Sequence, residues 1–177
     1  MTSFLNRVTG AALLNPAIYE EVEADRTATV QAMAVVALSS LAAGVGALGL
    51  ASVRITALAG MSLLAFAVWT IWAVLTLQIG ARIFPASRTR ADMGQLLRTI
   101  GFSTAPGMFL IAGIIPGTAT VVFAVTAIWM LMTMIVAVKQ ALDYTSTARA
   151  FGVCALGWVL SLGIAVGIGM FCSPPLH

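Results

Sequence analysis

The sequence predicts an all-α integral membrane protein, a five-span transmembrane helix bundle with cytoplasmic interfacial helices. Two observations carry this prediction. Of the 177 residues, 60% are hydrophobic and only 8% are charged, and the mean hydropathy is +1.04. The charged residues are also missing from several intervals long enough to cross a bilayer. A soluble domain has about 25% charged residues, so this composition excludes soluble enzymes, nucleic-acid-binding modules and disordered tails.

The first 26 residues are predicted to form a cytoplasmic segment of two short helices ahead of the transmembrane domain. In the first helix, apolar residues between Phe4 and Ala12 can share one face, which suits a helix lying in the headgroup zone. The pair Asn15-Pro16 has the chemistry of an N-cap followed by proline at the first helical position. The acidic run from Glu20 to Asp25 is typical of a solvated surface helix.

Residues 27–176 are expected to form a single transmembrane domain. Its charge-free intervals all exceed the roughly 20 residues that a crossing needs. The interval Thr99–Val138 would form a helix of about 60 Å, too long for one crossing, so we expect a break at Ile115-Pro116-Gly117. The predicted spans are about 28–52, 56–81, 96–115, 117–139 and 147–172.

The basic residues predict the orientation. With five spans and a cytoplasmic N-terminus, eight of the nine Lys and Arg residues face the cytoplasm, and only Arg54 lies outside. This agrees with the positive-inside rule and places the C-terminus outside. If residues 99–138 formed a re-entrant hairpin instead of two crossings, every charged residue would still lie on the same side of the membrane as in the five-span arrangement. The charge count therefore leaves two crossings or one hairpin open for this interval.

A basic amphipathic helix is predicted from Thr89 to Ile100, along the cytoplasmic face. Its apolar residues recur at helical spacing, and arginines lie around them. Such arginines can attract anionic lipid or an acidic partner, although anchoring the topology with ordinary lipid contact is the simpler interpretation. The candidate residues for binding lipid or a partner are Arg82, Arg88, Arg90 and Arg98.

Three stretches resemble the Yip-type family, membrane domains named for interacting with Ypt and Rab GTPases. The segment Leu96–Pro106, Leu-Leu-Arg-Thr-Ile-Gly-Phe-Ser-Thr-Ala-Pro, is similar to the entry of that family's third span. The segment Lys139–Ala150 is similar to the region before the last span of bacterial members, and Leu13-Leu14-Asn15-Pro16 before an acidic helix fits as well.

This resemblance implies a five-span bundle in a bacterial inner (plasma) membrane, with the N-terminus in the cytoplasm. Eukaryotic relatives act in vesicle traffic and carry a long cytosolic region with an Asp-Leu-Tyr-Gly-Pro motif. That motif does not occur in this sequence, and no comparable region precedes the first span. We therefore do not extend Rab binding to this chain.

The sequence contains no set of residues typical of an active site or a metal site. We therefore expect no enzyme, no catalytic residues, no cofactor and no metal. The only histidine is His177, and no carboxylate falls in the middle of a predicted span. In the last span, Gly163-x-x-x-Gly167 predicts close helix packing, either inside the bundle or, as the alternative, between two copies.

The function expected from these features is that of a non-enzymatic membrane scaffold or accessory subunit, which organises lipids or docks on a larger membrane complex. Its expected partners are anionic lipids at the cytoplasmic face and another membrane protein or a second copy, with no nucleic acid. The alternative is a channel or transporter for a neutral or lipophilic solute. That alternative depends on the broken third span with Ser103 and Thr104, because broken helices often line substrate sites.

Overall fold

The computed structural model describes residues 2–49, 58–78 and 93–172, and these residues are helical with short connections. Two short helices come first, followed by longer ones that pack side by side. The elements are α1 (Phe4–Ala12), α2 (Pro16–Ala24), α3 (Ala28–Ala47), α4 (Leu58–Gln78), α5 (Met93–Ser103), a 3₁₀ helix (Ala105–Ile114), α6 (Ala119–Ala141) and α7 (Thr147–Cys172).

Three of these segments are long and apolar enough to cross a membrane: Ala28–Ala47, Met93–Ile114 and Ala119–Ala141. They coincide with the first, third and fourth predicted spans. The helices α4 and α7 occupy the positions of the second and fifth predicted spans. The chain is therefore all-helical over the described ranges and has the segments of a membrane protein.

The short helices begin where the local chemistry predicts. The side chain of Asn15 accepts a hydrogen bond from the Ala17 N–H at 3.1 Å, and Pro16 is the first residue of α2. This is the expected cap, since proline lacks the N–H that a first helical residue would leave unpaired. The predicted start of α2 is confirmed.

The segment Met93–Ile114, which lies at the third predicted span and which we call the third span, changes its helical geometry part-way. Pro106 lacks a backbone N–H, so the α-helical bonding of α5 ends and the chain continues as the 3₁₀ helix over Ala105–Ile114. The chain then becomes extended at Ile115 and turns at Gly117, whose φ of +82° suits glycine. The predicted break at Ile115-Pro116-Gly117 is confirmed.

The predicted interfacial helix is not a separate element lying on the surface. Residues 89–92 fall outside the described residues, but Met93–Ser103 forms α5, which packs against α3 and α6 and against α2. Leu96 and Ile100 are buried, and so are the polar Arg98 and Thr99. Both sides of this helix are covered by protein, and it opens the third span instead of lying with one face on lipid.

Glycine residues bring α3 very close to the third span. A Cβ atom at Gly46 would lie 1.9 Å from the carbonyl oxygen of Leu110, and one at Gly49 would lie 1.8 Å from that of Gly113. Near the end of α5, a Cβ at Gly101 would lie 2.8 Å from the Ala32 Cβ. The two backbones therefore touch along the whole crossing, which forms the centre of the bundle.

Candidate functional site

Only part of the predicted site lies within the described residues. Arg82, Arg88 and Arg90 fall in residues 79–92, which are outside them. Gly163 and Gly167 lie in α7, but the packing around them is also outside what the structure describes. Arg98 is the one candidate whose surroundings are defined, and it leads to a site formed by the two N-terminal helices.

Arg98 is buried, with 5% of its surface exposed. Its Nε donates to the Val22 carbonyl oxygen at 3.0 Å and to that of Glu23 at 3.2 Å, and its Nη2 also donates to Glu23. These carbonyls belong to the last turn of α2, where oxygens lack helical partners and the helix dipole favours a cation. The expectation that Arg98 faces anionic lipid is therefore corrected, because its guanidinium instead attaches α2 to the third span.

Arg7 makes a second set of buried polar contacts, which attach α1 to its neighbours. It is 2% exposed and lies on α1, which the sequence predicted to bury only its apolar side. Its Nη2 approaches Glu21 at 2.8 Å and Asp25 at 2.7 Å, and its Nη1 donates to the Gln31 side chain at 3.0 Å. One guanidinium thus joins α1, α2 and the first turn of α3 with charge-assisted hydrogen bonds.

The carboxylates around Arg7 are held in their charged form. Hydrogen bonds from Thr27 and from Arg7 lower the pKa of Asp25 to about 2. Hydrogen bonds from Thr2 and from Arg7 lower the pKa of Glu21. Hydrogen bonds to a carboxylate favour its ionised form, so this cluster carries two negative charges on one buried arginine at neutral pH.

Two residues of α6 fix the position of the N-terminal helices along the bundle. The indole Nε1 of Trp129 donates to the carbonyl oxygen of Ala12, the last residue of α1, at 2.7 Å. The Gln140 side chain, at the far end of α6, donates to Glu20 at 2.9 Å. Nothing in the sequence pairs Trp129 with α1, because Trp129 and Ala12 lie 117 positions apart. We define α1, α2 and the tip residues between them as the N-terminal hairpin.

The break in the third span is closed by hydroxyl groups from its neighbours. Ser39 of α3 donates to the Thr104 carbonyl oxygen, and Thr133 of α6 donates to the Ser103 carbonyl oxygen, each at 2.7 Å. The hydroxyls of Ser103 and Thr104 bond back to the preceding turn of α5. Carbonyls released by a helix break need such partners inside a membrane, and here other helices supply them.

A small cavity of about 150 Å³ lies beside this break, between α3, the 3₁₀ helix and α6. Ser39 and Thr104 line it together with Gly107, where a Cβ would lie 3.0 Å from the Ser39 Cβ. The other lining residues are Val36, Ser40, Ala43, Leu110 and Met130. Ser103 and Thr104 are therefore brought to the break as the sequence predicted, but only Thr104 lines the cavity.

Within residues 2–49, 58–78 and 93–172, no three His, Cys, Asp or Glu side chains lie close enough together to hold a metal ion. Cys154 is buried and unpaired in the part that the structure describes. Compared with known proteins, the chain matches no family model, no curated protein and no solved structure.

Proposed function

We propose that the chain is a non-enzymatic membrane scaffold or accessory subunit, which organises lipids or docks on a larger membrane complex. In this proposal it is a bacterial member of the Yip-type family and crosses the inner membrane five times. The N-terminus is cytoplasmic and the C-terminus external, as the eight-to-one distribution of basic residues favours.

The observation that supports this function is how the buried and partly buried polar side chains are used. Arg98, Trp129, Ser39 and Thr133 each donate to a backbone carbonyl of a different element. Such bonds hold helices together, so these four donors are not available to a substrate. The remaining surface is rich in exposed Leu, Ile, Val and Phe side chains, which suits contact with lipid or another membrane protein.

The experiment compares matched arginine variants after mild-detergent extraction from native membranes, with native mass spectrometry of bound lipids and subunits. The test variant is R82Q/R88Q/R90Q, and the control is R54Q, on the opposite face. Arg98 is left unchanged because it supports α2. Five basic residues remain on the cytoplasmic side, so the orientation should hold.

We expect the wild type and R54Q to retain anionic lipid or a stoichiometric partner, and the triple variant to lose it. Each juxtamembrane arginine contributes about 1 kcal/mol toward an anionic surface, so the loss is at most roughly 3 kcal/mol. A wild-type chain that purifies without retained lipid or partner contradicts the proposal, and so does full retention by the triple variant.

A second candidate function, a channel or transporter for a small neutral solute, is favoured by the cavity beside the broken span. A volume of about 150 Å³ is enough for a molecule the size of benzene. Flux of small neutral solutes into proteoliposomes tests this candidate. Filling the cavity with S40L should then abolish flux, whereas L63A, at an exposed position of α4, should leave it unchanged.

A further inference from the structure

We propose that the N-terminal hairpin inserts into one leaflet of the bilayer, where lipid acyl chains cover its exposed apolar surface. This leaflet is the one on the side where α6 ends. The inference depends on α6 crossing the membrane and not on the scaffold function.

The contacts with α6 measure how deep the hairpin reaches. Gln140 binds Glu20 near the end of α6, whereas Trp129 binds Ala12 beside the hairpin tip. Eleven residues of α-helix separate these two levels, which is about 16 Å and thus roughly half of a ~30 Å hydrocarbon core. Trp129 also lies one residue from the centre of α6 (Ala119–Ala141).

The third span gives a second measure, which starts from Arg98 and meets the first at Trp129. Arg98 binds the end of α2, and eleven residues later the ring of Phe109 contacts that of Trp129, with centroids 5.1 Å apart. The hairpin therefore runs beside two candidate membrane spans, from the level of Arg98 and Gln140 to the level of Phe109 and Trp129. A helix lying flat in the headgroup zone would touch each span at one level only.

The backbone N–H groups of the hairpin tip meet the requirement for donors in hydrocarbon. Every backbone N–H from residue 13 to residue 18 has a partner: Leu13 donates to Thr9, Leu14 to Ala11, Asn15 to Gly10, Ala17 to the Asn15 side chain and Ile18 to the Asn15 carbonyl. Pro16 has no N–H. A turn facing water needs no such saturation, whereas unsatisfied donors in lipid cost several kcal/mol each.

The charge distribution agrees with this depth. No charged residue occurs between Arg7 and Glu20, and the Arg7 guanidinium reaches back to Asp25 and Gln31 at the open end of the hairpin. The exposed hydroxyl of Thr9 bonds to the Leu5 carbonyl within α1. All charges of the hairpin thus gather at the level where headgroups and water are available.

The exposed surface of the hairpin continues the apolar surface of the spans. Leu5 is 70% exposed and Leu13 is 74% exposed. Leu13 follows Ala12, which binds Trp129, and the neighbouring Ile128 and Phe109 are also more than half exposed. In the proposal, the lipid acyl chains that surround α6 also cover this continuous apolar surface. Because the hairpin ends at mid-depth, it displaces lipid from one leaflet and leaves the other leaflet unaffected.

The test is the depth of nitroxide labels on the full-length protein in vesicles of phosphatidylcholine with phosphatidylglycerol. Single cysteines replace Leu13, Leu5, Ala24 and Ile128 in a C154A/C172A background. All four positions are exposed, so the labels should leave the core intact. Ile128 serves as the reference for hydrocarbon, and Ala24, at the end of α2, serves as the reference for the charged end.

Electron paramagnetic resonance power saturation then compares collisions with oxygen, which concentrates in hydrocarbon, and with a water-soluble nickel chelate. We expect the oxygen-to-nickel ratio at L13C to match that at I128C and to exceed that at A24C several-fold, with L5C between them. A ratio at L13C equal to that at A24C overturns the proposal, as does an I128C label open to nickel. Spin–spin broadening at L13C that disappears on dilution with unlabelled protein would show a second copy on this surface and would also overturn it.

Discussion

The N-terminal hairpin packs against the side of the bundle and the crossing of α3 with the third span lies at its centre, and the two are held by different means. At the crossing, backbone touches backbone, and Gly46 leaves no room for a Cβ beside the Leu110 carbonyl. The hairpin is attached by separate side-chain donors, chiefly Arg7, Arg98 and Trp129. The crossing should therefore fail as a whole when one atom is added, whereas the hairpin should loosen one contact at a time.

The largest effect is expected from G46A. The new Cβ would lie 1.9 Å from a backbone oxygen, which cannot rotate away, so the two helices must separate. Overpacking of this kind costs about 3 kcal/mol, which outweighs the gain of up to about 1 kcal/mol from replacing a helical glycine. Thermal unfolding in detergent measures the loss.

The matched control for G46A is G60A on α4, where a Cβ would meet nothing within 4 Å. This substitution should leave the melting temperature unchanged or raise it slightly. Equal melting temperatures for G46A and G60A would show that the crossing can relax, and the distinction between the two regions would then be lost.

A smaller and more local effect is expected from R98Q. This change shortens the donor that holds the Val22 and Glu23 carbonyls. Hydrogen bonds to a charged group contribute about 1.5–3 kcal/mol, so we expect a loss of about 2 kcal/mol that is confined to the hairpin. Hydrogen exchange should become faster in α1 and α2 and stay unchanged in α6.

The control for R98Q is R26Q, because Arg26 is an exposed arginine just after α2. It should leave the exchange rates of both helices unchanged. If R98Q instead releases bound anionic lipid and leaves α2 protected, then the original expectation of a lipid-binding Arg98 is right and the structural role is wrong.

Most of the bundle could be predicted because its signals are local. Charge-free length located the long helices, and Asn15-Pro16 and Ile115-Pro116-Gly117 marked where elements begin and end. These features act through the backbone of neighbouring residues, so no knowledge of the partners is needed.

The candidate site could not be predicted in the same way, because its contacts join residues far apart in sequence. Arg98 meets Glu23 and Trp129 meets Ala12 only after the helices pack. The helical spacing of apolar residues predicted a surface helix that exposes Arg98. That spacing does not reveal that a second helix, α2, covers the polar side. One signal was available for the crossing: Gly44, Gly46 and Gly49 follow two alanines in the first span, a small-residue stretch that favours close packing.

The smallest effect is expected from W129F, which keeps an aromatic ring against Phe109 but removes the N–H that donates to the Ala12 carbonyl. A hydrogen bond of this kind contributes about 1 kcal/mol. The loss should appear as faster hydrogen exchange at residues 13–15, with little change in the melting temperature of the bundle. This result would show that the hairpin tip is attached to α6 through the Trp129 N–H.

The matched control is W72F, because the Trp72 Nε1 is buried and has no hydrogen-bond partner in the part of the chain that the structure describes. Removing an unpaired buried donor costs no hydrogen bond, so W72F lowers stability only through its smaller ring. Faster exchange at residues 13–15 in W129F but not in W72F would show that the lost N–H, and not a smaller ring in general, loosens the tip. Equal losses at both positions would mean that ring packing alone holds the tip, and that the hairpin and the crossing are attached in the same way.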